Sequence, residues 1–390
     1  MLFVHRSALA LAAGTMSFVI MLAAVVVSSG ASVAMADDGN ATTAPVELLT
    51  RAERAAVGGL PEVPTGLNAA WKLERRPSKR VRATFTYTVT APNLVAREWL
   101  LFLSRPEHHP AHDVTVTAPT PDAEEIRDLS ARRQPLWRWR TPVGDGDAEP
   151  DTMKWSVSLD VQLFSRKLAR GRSRSKGRAL GADERRLSLR PTGGFDYRDR
   201  VVIEFARQHK LERETREGEV EFARRVFQAI ARNFEYHYVG EQDRSAAGVI
   251  GAGRSDCGGL STLFATVLRS QGIPARTIAG RWATSARPGQ RIGGVAYFQE
   301  HVKAEFWADG LGWVPADLSS AVLHDPSKEK VKYFAADPGD FIVFHFDTNL
   351  RFDTVDFGER TFALLQKPSH WATGRGDFVG VTTAETWTVK

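Results

Sequence analysis

The chain has 390 residues, 43% of them hydrophobic and 25% charged, with a formal net charge of +6 at pH 7. That balance excludes wholesale disorder, and glycines and prolines without a triplet period exclude collagen. A single cysteine, Cys257, excludes an intrachain disulfide and any cysteine-rich zinc or iron–sulfur site.

In chain order, Ser7 to Ala36 carry no charge, contain the apolar run Phe18 to Val27 and end on the small-residue site Ala34-Met35-Ala36. This pattern predicts a secretory signal peptide over residues 1–36, cleaved after Ala36. The same run is long enough to cross a bilayer, so an uncleaved amino-terminal tether is the alternative. Either way the bulk of the protein is expected outside the cytoplasm, periplasmic or extracellular. Residues 37–65 are polar and read as a linker. Over 66–165, Val81, Ala83, Phe85, Tyr87 and Val89 alternate with Arg82, Thr84, Thr86 and Thr88, and Val114–Thr117 and Trp155–Val161 alternate likewise. Period-two patterning predicts half-buried strands, hence an all-β domain of sandwich type. Arg166, Lys167, Arg170, Arg172, Arg174, Lys176 and Arg178 then form a basic run interleaved with glycine and serine. No aromatic residue supplies a stacking platform for bases, so no specific nucleic-acid partner is expected. Residues 166–197 read as a linker whose basic loop, 166–178, could at most touch an anionic surface weakly.

The pattern changes over 198–350. Val220, Ala223, Phe227, Ile230, Ala231 and Phe234 recur at helical spacing within Thr215–Phe234. A second helix opens near Cys257 and runs to Gln271 on a stripe of Leu260, Leu263, Phe264, Val267 and Leu268, with Gly272 and Pro274 ending it. Strands are predicted at Ala275–Trp282, His301–Trp307, Gly312–Asp317 and Phe341–Phe346. This half is therefore α+β, and residues 351–390 read as a carboxy-terminal extension.

A lone cysteine in an exported protein is either a small buried hydrophobe or a thiol retained for reactivity. Cys257 opens a helix, where free N–H groups lower a thiol from about 8.5. His301 begins an alternating strand, and Asp309-Gly310-Leu311-Gly312 predicts a hairpin that returns Asp317 to the same open end. A histidine there can take and return the thiol proton, and an aspartate can hold the imidazole tautomer. Asp309 lies at the opposite, turn end and is set aside.

Ser255-Asp256-Cys257-Gly258-Gly259-Leu260-Ser261, followed by Gly272-Ile273-Pro274-Ala275-Arg276, resembles the nucleophile helix and following strand of the transglutaminase-like superfamily. His301-Val302-Lys303-Ala304-Glu305-Phe306-Trp307 and Gly312-Trp313-Val314-Pro315-Ala316-Asp317 are similar to that family's histidine strand and its return. The resemblance covers about 200–350. It implies a papain-like core, a helix bearing cysteine packed on an antiparallel sheet, with Cys257 as nucleophile, His301 as general base and acid, and Asp317 as its orienter. It implies an exported thiol-dependent enzyme that passes through a thioester and acts on peptide or isopeptide amides of a protein or peptide substrate, cell-envelope material included. Hydrolysis is preferred to protein crosslinking on family analogy alone. The rival is a non-catalytic binding or assembly module on the same scaffold. No cofactor or metal is expected. The Cys257 N–H can supply one oxyanion donor; Tyr236 and Tyr238 are candidates for a second, against a packing role.

Other signals read as structural. Glu107-His108-His109 with His112 lacks a helix-borne zinc pattern and is expected to be an exposed loop. Asp145-Gly146-Asp147 lacks the calcium-loop spacing. Trp282, Trp307 and Trp313 either wall the cleft or pack the core.

Overall fold

The structure is a computed structural model that describes residues 67–117, 119–143, 152–171, 179–285, 291–292, 295–296 and 299–390. The anticipated signal peptide, the Asp145–Asp147 turn and most of the basic run lie outside these residues.

Six strands come first: β1 (Trp71–Thr90), β2 (Leu94–Ser104), β3 (His112–Val116), β4 (Glu124–Arg127), β5 (Pro135–Pro142) and β6 (Thr152–Arg170). Helices follow as α1 (Ala182–Leu187), α2 (Arg200–Gln208), α3 (Glu219–Asn233), α4 (Ala246–Ala252) and α5 (Cys257–Ser270), with the short strands β7 (Glu235–Tyr236) and β8 (Arg254–Ser255) between them. The remainder is β9 (Ala275–Trp282), β10 (Arg291–Ile292), β11 (Val295–Ala296), β12 (Glu300–Ala308), β13 (Gly312–Ala316), α6 (Leu318–His324), β14 (Ala336–Asp337), β15 (Phe341–Phe346), β16 (Leu350–Asp353), β17 (Glu359–Phe362), β18 (Ser369–Gly376) and β19 (Thr382–Val389).

The period-two pattern of β1 does what it predicts: Ala83, Phe85 and Val89 are buried, and β6 and β19 flank the strand in antiparallel register. The sheet runs β14-β6-β1-β19, with β3 also on β6, and a second sheet runs β18-β2-β5-β4. Phe85, Leu159 and Trp387 from the first meet Trp99, Leu101 and Trp139 from the second in one apolar core. Leu100 and Phe102 point the other way into a separate cluster with Leu350, Phe352 and Trp371. Strand β2 is thus buried on both faces, the physical reason for its unbroken apolar run.

Two expectations need correction. Residues 351–390 are not an appendage, because β18 pairs with β2 and β19 with β1, closing the sandwich. Nor does a basic loop begin at 166. Arg166–Arg170 complete β6, and Arg166 is 1% exposed, with its guanidinium 2.6 Å from Glu305 Oε1 and 3.0 Å from Asp337 Oδ2. Its charge serves the interior, paired with two carboxylates in a dry site.

The second half is a helix packed on a sheet of order β13-β12-β9-β15. Leu260, Leu263, Phe264, Val267 and Leu268 of α5 are fully buried and share a core with Ala304 and Phe306 of β12. Gly272, at φ +76°, ends α5 as the sequence predicts: the Ile273 N–H donates to Leu268 O and the Gly272 N–H to Arg269 O, each at 3.0 Å. On the opposite face of β12, Lys303 and Glu305 meet the sandwich through ions rather than hydrocarbon. Glu305, 0% exposed, receives Arg166, Arg276 at 2.9 Å and His109 at 3.1 Å.

That contact corrects the histidine loop as well. His109 and His112 are buried, and only His108 of the three is exposed. His109 Nδ1 accepts the Ala111 N–H, and His112 Nε2 accepts the Val343 N–H at 3.0 Å. Both rings are therefore hydrogen-bond acceptors inside the joint between the two halves, and burial holds both below the usual imidazole range.

Candidate active site

Cys257 is the first residue of α5 and is partly exposed. The residue before it, Asp256, is the N-cap. Its Oδ1 accepts the N–H groups of Gly258 at 3.0 Å and Gly259 at 3.1 Å, an arrangement worth about 1 kcal/mol to a helix. Gly259 is required here, since a Cβ would stand 2.0 Å from Ser255 Oγ. The cap leaves the N–H of Cys257 itself unused.

The strand that faces this helix start brings His301. Ser261 Oγ, one turn into α5, donates to Val302 O at 3.3 Å, and the Val302 N–H acts on the thiol. The hairpin forms as read, with Ala308 opposite Gly312 and Ala304 opposite Ala316, and Gly310 at φ +81° in the turn. It carries Asp317 back to the open end, where His301 Nε2 and Asp317 Oδ2 are 2.9 Å apart. Asp317 is itself fixed: its Oδ1 accepts the Ser320 N–H at 3.0 Å as the N-cap of α6, and the Ser319 hydroxyl at 3.3 Å. Burial pushes the Asp317 carboxyl up, but the His301 ring outweighs it and holds the acid well below its ordinary range. Asp317 is therefore ionised, and the His301 ring presents Nε2 to it and has Nδ1 left for other work.

Two aromatic rings frame the imidazole. Trp282 stacks on it at a centroid distance of 4.5 Å and an interplanar angle of 26°, and Phe341 meets it edge-on at 5.9 Å. Trp282 therefore contacts the site. Trp307 and Trp313 do not: they pack against each other beside the hairpin turn, with the Arg276 guanidinium over Trp313. Asp309 lies at that turn too, where it accepts the Trp307 indole N–H at 2.9 Å. Tyr236 is half-buried against the helical core, and Tyr238 is 47% exposed.

The thiol's electrostatics differ from the sequence expectation. Burial pushes the Cys257 thiol well above its ordinary range, and the Asp256 and Asp317 carboxylates add to this, against the Val302 N–H and Arg244. Burial is the largest cause, and two of the N–H groups at this helix start already donate to Asp256 Oδ1. An aspartate directly before the first helical residue is a readable capping signal; its charge on the neighbouring sulfur follows from the folded geometry.

Among the described residues, no group of three or more His, Cys, Asp or Glu could hold a metal ion, and no helix is long and apolar enough to cross a membrane. A cavity of about 120 Å³, lined by residues including Arg105, His109, Arg132, Glu184 and Phe346, lies at the joint between the halves; Cys257, His301 and Asp317 are not part of its wall.

Residues 206–318 match the family model of the transglutaminase-like superfamily. No curated protein matches the chain. Among solved structures, a candidate cysteine protease from Cytophaga hutchinsonii is similar over 82% of this chain and 100% of its own, at 11% identity and a TM-score of 0.47. The periplasmic domain of TgpA from Pseudomonas aeruginosa is similar over 64% of this chain and 92% of its own, at 15% identity and a TM-score of 0.31.

Proposed function

We propose that this chain, which carries a transglutaminase-like domain with a papain-like α+β core behind a β-rich region, is an exported thiol-dependent amide hydrolase or acyltransferase. Cys257 is the nucleophile, His301 the proton carrier and Asp317 its orienter. The observation that carries this reading is the 2.9 Å bond between His301 and Asp317 at the open end of a hairpin whose next residue, Val302, faces the Cys257 thiol.

The chemistry follows from which nitrogen is engaged. With Nε2 on Asp317, His301 Nδ1 accepts the thiol proton as the sulfur attacks an amide carbonyl carbon. The carbonyl oxygen takes up the electron pair, with the Cys257 N–H as one donor to it. His301 then protonates the leaving nitrogen as the C–N bond breaks, which gives a thioester and a free amine. Water or a second amine attacks the thioester, its proton passes to Nδ1, and the sulfur departs to recover that proton. Hydrolysis, with water as acceptor and a peptide or isopeptide as donor, is the preferred outcome, and this preference rests on family analogy.

The test is Cys257→Ala in paired assays of amide cleavage and amine incorporation. Loss of both is expected, together with a mass increase on Cys257 when the wild-type chain is quenched during turnover. Activity unchanged by the substitution rejects the mechanism.

A further inference from the structure

Arg244 lies outside the three residues above, on the segment that leads into α4. Its Nε and Nη2 stand 2.8 Å and 2.7 Å from Asp256 Oδ2, the carboxylate oxygen that the helix cap leaves over. The rest of the guanidinium gathers its own loop: Nη1 donates to Gly240 O and Nη2 to Val239 O, both at 3.2 Å. Room for this comes from Gly258, where a Cβ would stand 3.2 Å from Arg244 Cδ, tighter than an ordinary contact. Directly after Arg244 the chain is pinned again. Asp243 accepts the Ser245 N–H and hydroxyl, and Ser245 caps α4 through the Gly248 N–H at 3.1 Å.

The two oxygens of Asp256 are thus divided between the helix that carries Cys257 and a cation on a neighbouring loop. A capping carboxylate beside a nucleophilic sulfur has two opposed effects. It fixes the helix start, and its charge disfavours the thiolate. A guanidinium bound to the far oxygen keeps the first effect and offsets the second. Building on the thiol reading of the site, we propose that Arg244 is the positioning residue of the nucleophile, locking the Asp256 cap in place and countering its charge at the Cys257 sulfur.

The charged groups that act on the sulfur are Asp256, which precedes it, Arg244 from the loop and Asp317, which caps α6, together with the Val302 N–H of β12. Tyr236 on β7 lies beside it, Tyr238 lies beside Arg244, and His301 is bonded to Asp317. Arg244 is the cation in this set that a single substitution removes without touching His301 or Asp317.

Because the chain has one cysteine, iodoacetamide labelling followed by intact mass reports on Cys257 alone. The labelling rate is measured at a fixed pH of about 8, where it tracks the thiolate fraction, for wild type, Arg244→Gln, Arg244→Lys, Asp256→Asn and the Arg244→Gln/Asp256→Asn double variant, with circular dichroism to verify folding. Arg244→Gln is expected to label about tenfold more slowly. Asp256→Asn retains an oxygen for the cap, removes the charge and labels faster. Arg244→Lys restores most of the wild-type rate, and the double variant returns to within about twofold of it. A purely structural role would move both single variants the same way. That result, or an Arg244→Gln rate within about 1.5-fold of wild type, overturns the proposal. If Arg244→Gln does not fold, the double variant is compared with Asp256→Asn, where loss of the cation must still slow labelling, and an equal rate overturns it. Labelling needs no turnover, so a chain that cleaves no amide would defeat the functional reading and leave this result legible.

Discussion

Replacing Glu305 with glutamine tests the ionic joint between the two halves. Glu305 is fully buried and faces two guanidinium groups, Arg166 at 2.6 Å and Arg276 at 2.9 Å, as well as His109 at 3.1 Å. Removing one partner of a buried pair costs about 3–5 kcal/mol, because the remaining charge is left dry and uncompensated. Each guanidinium keeps a second carboxylate, Asp337 for Arg166 at 3.0 Å and Glu184 for Arg276 at 3.2 Å, and glutamine retains an acceptor oxygen. The cost is therefore placed at the lower end, about 3 kcal/mol. With a urea slope of about 3 kcal/mol per molar for a chain this large, the unfolding midpoint falls by about 1 M. Tryptophan fluorescence and far-ultraviolet circular dichroism should follow the same transition, since Trp99, Trp137 and Trp155 report on the sandwich and the helices on the other half. A drop under about 0.3 M, or two separated transitions in the wild-type chain, would refute the claim that the joint is a shared buried core.

Asp317→Asn preserves a capping oxygen for α6 but no longer fixes the His301 tautomer, and kcat of the folded variant, verified by circular dichroism, should fall by about 10²–10⁴-fold. Acid should weaken the fold from pH 6.5 downwards. Burial lowers His345 and His370 to about 4, so the unfolded chain binds protons first, and stability present above about 6.5 is lost progressively until about pH 4. For fully buried His345 this amounts to about 3 kcal/mol, and urea midpoints at pH 7 and 4.5 should show it, with a smaller difference in His345→Gln. Gly280→Ala places a Cβ 1.9 Å from the carbonyl oxygen of Ile342 on the adjacent strand; backbone cannot yield there cheaply, and a loss of at least about 2 kcal/mol is expected by thermal melting.

The elements that were legible in the sequence are those specified locally. Helix α5 has its stripe, a Gly272 terminator and Pro274, and β9 and β15 span Ala275–Trp282 and Phe341–Phe346, the bounds read from the sequence. His301 and Asp317 could be paired on paper because one short hairpin joins them, and arithmetic from the turn suffices. What was not legible depends on distant partners. His109 and Arg166 look like surface residues until Glu305, far along the chain, is placed between them. Strand β19 has no strong apolar alternation of its own, and its identity comes from β1, with Phe85 opposite Trp387. The thiol's environment is illegible for a different reason: in the sequence Asp256 stands as part of a motif, whereas in the fold its carboxylate takes backbone donors beside the sulfur.

The pairing of β19 with β1 has a topological meaning. The Arg82 N–H donates to Lys390 O, and the Lys390 N–H donates to Arg82 O, both at 2.9 Å. Lys390 is thus stitched to β1, the first of the described strands. The helix–sheet unit that holds Cys257 is nested as an insertion within a sandwich whose opening strands precede it and whose closing strands follow it. A fragment cut after β15 would bare the edges of β1 and β2 and would not liberate a smaller, self-sufficient catalytic body. During synthesis the sandwich cannot close until β19 has left the ribosome.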